Sequence, residues 1–277
     1  MRPTPDCLEG DPLRQPGERT RMSFPAMGCG GLRWAAVGLD DYGSGGELMT
    51  ECLIALGGNM GDVASTFAAA LDLLAGRDDI TVRNVSRCFV TEPVGSDAGD
   101  SYLNAAARLD TTLDPAGLLE ATKQVEAELG RGPHHATWAP RPVDLDLITC
   151  GNIVLENQRL KIPHPGCWYR RFVLDPLCRI APAIKHPTLN RTFEELRNRL
   201  LARPLPVWLD LPDREQTIQE LRQQFPQVRW ASGPEDVADI GLTLPGSPAP
   251  PDSLVDVLTA ATGSVELANP IPNWPES

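Results

Sequence analysis

Residues 141–148 read RPVDLDLI, and the carboxylates of Asp144 and Asp146, one residue apart in an otherwise apolar run, are the groups to explain. In an extended strand side chains alternate, so Val143, Leu145 and Leu147 share one face and the two aspartates the other. Same-face neighbours lie roughly 7 Å apart, close enough for two carboxylates to repel unless a cation lies between them. A hard divalent ion such as Mg²⁺ takes oxygen ligands, commonly one or two carboxylates completed by phosphate oxygens. An isolated Asp-x-Asp is more simply read as an edge strand with a solvated acidic face. Its surroundings have to decide.

Those surroundings are cationic in an acidic chain. The formal charge of −12 argues against broad binding to nucleic acid or to an anionic membrane. Residues 131–172 nevertheless carry six Arg/Lys against three acids, a local +3, with His134, His135 and His164 among them. Residues 205–277 carry eleven acids against three arginines, a local −8. Arg131, Arg141, Arg159, Lys161, His164 and Arg170 supply forked or point-charge donors suited to phosphate oxygens. Trp138 and His134 are candidates for lining a base or ribose pocket. The segment suits a small polyanion.

Other signals bound the reading. No G-x-x-x-x-G-K-[ST] occurs, which excludes a P-loop, and the glycines at 57, 58 and 61 lack the G-x-G-x-x-G order. No apolar run approaches the roughly 20 residues that span a bilayer. Seven cysteines without a C-x-x-C pair read as reduced thiols of a cytoplasmic protein, acting as small apolar fillers.

The elements that position the aspartates follow from periodicity. Residues 1–48 are rich in Gly, Pro and Arg and are expected to be disordered or loosely attached, with Met49 a candidate initiator. A strand at 51–58 leads through a glycine turn into a helix capped by Asp62, with Val63, Phe67, Ala70 and Leu74 on one face. Strands are expected at 80–93 and 102–112. Asp114-Pro115 opens a helix to Leu129 with the stripe Leu118, Thr122, Val125, Leu129, and the Asp-x-Asp strand follows. The order β-α-β-β-α-β predicts an α+β fold with a ferredoxin-like core, a mainly antiparallel sheet and both helices on one face. This domain is expected over 49–202, ending in a helix at 192–202. A small acidic α/β appendage, without a chemical motif, is expected over 203–277.

The blocks LGGNMGD, TEPVG…SYLNAAARLDT, E…LGR, W.PRPVDLDLI and RL.IPHP….R.FVLDPL..IAP stand in the order and spacing of 6-hydroxymethyl-7,8-dihydropterin pyrophosphokinases, and the chain resembles that family over about residues 50–185. The resemblance implies transfer of pyrophosphate from ATP to 6-hydroxymethyl-7,8-dihydropterin in folate biosynthesis. It implies that Asp144 and Asp146 hold two Mg²⁺ ions bridging the ATP phosphates. Arg131, Arg141, His164 and Arg170 then contact those phosphates or stabilise charge during transfer. Glu126, Trp138, Leu147, Arg159 and Lys161 match positions around adenine and ribose. The pterin is implied to lie between Tyr102 and Phe172, with its edges bonded by Asn104 and by the backbone at Thr91 and Val94.

Three positions depart from the family pattern. Gly58 stands where Ser is common, a change expected to matter little in a turn. Pro133 replaces a second loop arginine, and the nearby His134 and His135 are poorer anion partners when neutral. Pro165 follows His164 where an aromatic often sits. These bear on rate more than on reaction type. Two other classes remain to be weighed: an aspartyl-phosphate phosphatase, which requires the Asp pair on a leading strand, and a pterin- or nucleotide-binding protein without catalysis. His186, outside the motif blocks, reads as a surface residue.

Overall fold

Both faces of the first strand are apolar, and that places it inside a sheet. In β1 (Thr50–Gly58), Cys52, Ile54 and Leu56 point one way and Leu53 and Ala55 the other, and all are buried. The computed structural model describes residues 49–94, 100–132, 140–237, 241–245 and 253–276. The expectation for residues 1–48 lies outside them.

Helix α1 (Val63–Ala75) begins where the Asp62 carboxylate accepts the Ser65 amide at 3.2 Å. Next come β2 (Ile80–Val85), β3 (Phe89–Thr91) and β4 (Tyr102–Thr111), with β2 and β3 both antiparallel to β4. One strand was expected over 80–93, and Ser86 is where it divides. Its hydroxyl accepts the Ala106 amide at 2.9 Å, standing in for a ladder carbonyl. Helix α2 (Pro115–Glu128) starts with the Asp114 carboxylate accepting the Gly117 amide at 2.7 Å. Strand β5 (Asp144–Cys150) then pairs antiparallel with β1.

The chain continues through the hairpin β6 (Leu155–Glu156) and β7 (Lys161–Ile162), then helices α3 (Arg171–Ile180) and α4 (Phe193–Leu200). After residue 203 come β8 (Leu205–Asp210), α5 (Arg214–Leu221), β9 (Val228–Trp230), β10 (Leu242–Pro245), α6 (Leu254–Thr262) and β11 (Val265–Leu267). The main sheet runs β11-β3-β4-β1-β5 and is antiparallel throughout, while β10-β8-β9 form a separate parallel sheet.

Helices α1 and α2 cover one face of the main sheet, burying Phe67, Leu71, Leu118 and Val125 against Ile54, Leu109 and Leu145. On the other face Leu53, Ala106 and Ile148 join α3, α4, the parallel sheet and α6 in one continuous cluster. That cluster runs across residue 203, and β11 returns to pair with β3. Among the described residues no helix is long and apolar enough to cross a membrane.

His186 is a correction. Expected at the surface, it is 3 % exposed, in the connection between α3 and α4. Its Nδ1 faces the amides of Thr188 and Leu189 at 3.4 and 3.3 Å, an arrangement that needs an unprotonated Nδ1. Burial first, and then the Arg199 cation, push its pKa down to about 4 from an ordinary 6.5. Between those values the unfolded chain holds the proton more tightly. The stability contributed by the neutral ring is therefore complete above about pH 6.5 and declines as pH falls toward about 4, by up to about 3 kcal/mol. Urea midpoints at pH 7 and pH 4.5 are expected to differ more for the wild type than for His186→Asn, whose amide oxygen can replace Nδ1. Equal differences would remove His186 as the sensor.

Candidate functional site

The site begins with an irregularity in β5. Ile54 faces Leu147 and Leu53 faces Thr149, so Ile148 is an extra residue, a β-bulge. Ahead of it alternation is regular: Leu145 and Leu147 enter the core beneath α1 and α2, and Asp144 and Asp146 take the opposite face. The bulged residue's carbonyl accepts the His164 amide at 2.9 Å, which brings the segment after β7 alongside the aspartates.

Adjacent strands supply the rest of this face. Asp144 lies opposite Gly57, and Gly57 opposite Asn104. A Cβ at position 57 would touch the Asn104 side-chain oxygen at 3.5 Å, so the glycine keeps the row between amide and carboxylate open. Asn104 is buried and donates from Nδ2 to the Thr91 hydroxyl at 2.8 Å. Tyr102, paired with Thr91, is close enough to Arg141 and Asp144 for both to act on its phenol.

Asp144 is held by two guanidiniums, those of Arg131 and Arg141. Burial works to raise its pKa, but the two arginines outweigh that and hold the carboxyl below its usual range. Asp146 goes the other way. Burial and then the charge of Asp144 raise it, against the opposing pull of His164 and Arg170. The two neighbouring carboxylates are thus shifted in opposite directions, Asp144 by its arginines and Asp146 by burial and the Asp144 charge. His164 accepts the Gly166 amide on Nδ1 at 3.1 Å, which in the neutral ring leaves the proton on Nε2. Arg170 is buried at the start of α3, its guanidinium 5.8 Å from the Tyr169 ring centre and 5.7 Å from that of Phe172.

Glu126, which the resemblance sets near adenine and ribose, is a buried junction between α2 and β5. It is 2 % exposed, accepts the Leu145 amide at 2.7 Å and Lys123 at 2.9 Å, and contacts Arg131 at 2.5 Å. One carboxylate thus ties α2 to β5 and aims Arg131 at Asp144. Leu147 is likewise a core side chain. Arg159 and Lys161 are not gathered at the aspartates. They are exposed in and beside the β6–β7 hairpin and pair with Glu120 and Glu156. Pro133, His134, His135 and Trp138 lie outside the described residues.

Two contributors escaped the sequence reading. Lys123, whose charge reaches both aspartates, was legible only as an i, i+3 partner of Glu126. Asn59 exchanges hydrogen bonds with Arg141: its Oδ1 accepts the Arg141 amide at 2.9 Å, and its own amide donates to the Arg141 carbonyl at 3.0 Å. Beside it, a Cβ at Gly58 would lie 2.5 Å from the Pro142 carbonyl oxygen. The glycine, expected to matter little, lets the β1 turn approach the segment that carries Arg141.

Thr91, Val94 and Phe172 line one cleft together with Glu92 and residues of α6 and β11. Among the described residues no three His, Cys, Asp or Glu side chains could hold a metal by themselves. Two carboxylates alone suit an ion whose remaining ligands come from phosphate and water. The raised pKa of Asp146 fits that donor set, because a cation between the pair would relieve the repulsion.

The chain matches the family model "7,8-dihydro-6-hydroxymethylpterin-pyrophosphokinase (HPPK)" over residues 53–182. It is 39 % identical over 143 residues to the 2-amino-4-hydroxy-6-hydroxymethyldihydropteridine pyrophosphokinase of Bacillus subtilis, covering 51 % of this chain and 85 % of that protein. The protein of the same name from Methylorubrum extorquens is 40 % identical over 134 residues, covering 48 % and 84 %. That of Pseudomonas aeruginosa is 36 % identical over 140 residues, covering 50 % and 86 %. The chain belongs to the hydroxymethyldihydropterin pyrophosphokinase family.

Proposed function

We propose that the protein transfers the pyrophosphoryl group of ATP to 6-hydroxymethyl-7,8-dihydropterin, releasing AMP, in folate biosynthesis. One observation carries this reading beyond family membership. A carboxylate pair ringed by Arg131, Arg141, His164 and Arg170 shares a sheet face with the Thr91–Asn104–Tyr102 row, so a triphosphate and a flat heterocycle can lie side by side.

The pterin hydroxymethyl oxygen attacks the β-phosphorus. The new O–P bond forms as the bond from that phosphorus to the α,β-bridging oxygen breaks, AMP leaves with the bridging oxygen, and the hydroxyl proton passes to water. Asp144 and Asp146 would hold two Mg²⁺ ions, which would supply Lewis-acid neutralisation of the phosphate charge. The chain's own groups orient and neutralise. Arg131 and Arg141, now on Asp144, turn to the phosphates when the nucleotide enters, while His164 Nε2–H and Arg170 approach from the other side. Tyr102 and Phe172 stack the pterin, with Asn104 and the backbone at Thr91 and Val94 reading its edges. Positioning Asn104 through Thr91 fixes a pterin donor before substrate arrives.

The fold supports the same reading. Taking β2 and β3 as one interrupted strand, the order β5-β1-β4-β2/β3 supports the ferredoxin-like reading. A cytoplasmic location is supported by the described cysteines, which are free.

AMP release from ATP is expected to require both the hydroxymethyl pterin and Mg²⁺, and to cease with chelator. Release without pterin would point to a hydrolase, and nucleotide affinity that ignores the chelator would remove the metal from the site. Pterin binding without AMP would favour a non-catalytic protein.

A further inference from the structure

We propose that the α6–β11 junction, far outside the segment that matches the family, forms a wall of the pterin pocket and that Thr259, Gly263 and Ser264 position the pterin. The inference rests on the reading of Thr91, Val94 and Phe172 as pterin contacts. Those three residues line one side of a cleft whose other side is Thr259, Ala260, Gly263, Ser264 and Val265.

Two independent ties hold the junction there. Strand β11 pairs with β3 so that Val265 lies opposite Thr91, the residue whose hydroxyl sets the Asn104 amide. From the other direction, Arg171, next to Phe172, donates from Nη1 to the Gly263 carbonyl at 3.2 Å and from Nη2 to the buried Asp175 at 2.8 Å. The same turn of α3 that presents Phe172 therefore grips the junction, and the strand that presents Thr91 is hydrogen-bonded to its continuation. Neither pterin-facing segment can shift without the other feeling it.

Gly263 shapes the corner. A Cβ there would lie 2.8 Å from the Thr259 carbonyl oxygen, closer than real side chains approach, so any substitution displaces either the end of α6 or the start of β11. Thr259 and Ser264 bring hydroxyls, each able to donate and accept. A pterin edge alternates ring nitrogens, a carbonyl and an amino group, and such hydroxyls complement either kind. The junction thus adds two hydroxyls to a cleft already lined by Thr91, Glu92, Val94 and Phe172.

Ser264 is exposed, so its replacement leaves the core untouched. Ser264→Trp narrows the cleft, and in the full chain the KM for pterin is expected to rise about tenfold, with kcat and Mg·ATP affinity within about twofold of wild type. Gly263→Ala should move pterin affinity in the same direction, and Ser264→Ala, which removes one hydroxyl without filling the cleft, should weaken it by a smaller factor of about threefold. Direct calorimetric titration with the pterin reads the same quantity without turnover. Wild-type pterin affinity in both Ser264→Trp and Gly263→Ala would overturn the proposal. So would a loss of nucleotide affinity in step with pterin affinity, the mark of a general disturbance. A wild type that binds pterin yet releases no AMP would sink the proposed reaction and leave this comparison of affinities intact.

Discussion

Asp146→Ala is expected to lose turnover by about a thousandfold or more, the equivalent of several kcal/mol of charge stabilisation, while keeping a wild-type melting temperature. The separation of activity from stability follows from its surroundings. Burial and the Asp144 charge both disfavour ionised Asp146, so removing it relieves repulsion rather than breaking a stabilising pair. Asp144→Ala should be equally inactive but less stable. It leaves two guanidiniums, with side chains only 17 % and 12 % exposed, without the carboxylate that joins them. AMP release and thermal unfolding measured on the same preparations separate the two effects. Asp146→Ala with substantial activity would end the assignment of that carboxylate to the metal.

The second large effect concerns a residue that touches no substrate in our reading. Glu126→Ala deprives the Leu145 amide, Lys123 and Arg131 of their shared acceptor in a buried position, a change that typically costs about 3–5 kcal/mol. Against a total stability of about 5–15 kcal/mol, the variant should sit close to unfolding at physiological temperature. Glu126→Gln keeps shape and an acceptor for the Leu145 amide but lowers the charge that orients Arg131. It is expected to stay folded, with kcat reduced about tenfold and ATP affinity nearly unchanged. Urea denaturation of both variants provides the check. A Glu126→Ala midpoint equal to wild type would show that the buried carboxylate ties nothing together, and a Gln variant that loses ATP affinity would return Glu126 to the nucleotide.

What the sequence disclosed was local. Alternation over 143–147 correctly assigned the aspartates and leucines to opposite faces, and Asp62 and Asp114 announced their helices because capping is a matter of three residues. The limits of helix α3 are hard to see locally, since Pro176 lies inside it and its amphipathic face has to be seen against the sheet. Strand β11 is three residues long and half exposed, held by its partner rather than by any propensity of its own. Burial of His186 depends on α3, α4 and their connection meeting, which no nearby pattern reveals. Within the site, charge clustering correctly grouped Arg131, Arg141, His164 and Arg170 with the aspartates. It could not tell these from Arg159 and Lys161, because the β6–β7 hairpin carries the latter pair to Glu120 and Glu156.

The pairing of β11 with β3 closes a loop that contains every element from β4 to α6. Such distant closure is entropically slow, so the outer backbone of β3 stays bare while the remainder condenses. A bare strand edge is a template for a neighbouring molecule in the same condition. Yield on refolding from denaturant is therefore expected to fall steeply with concentration, with seeding at this margin rather than formation of the interior deciding how much is recovered.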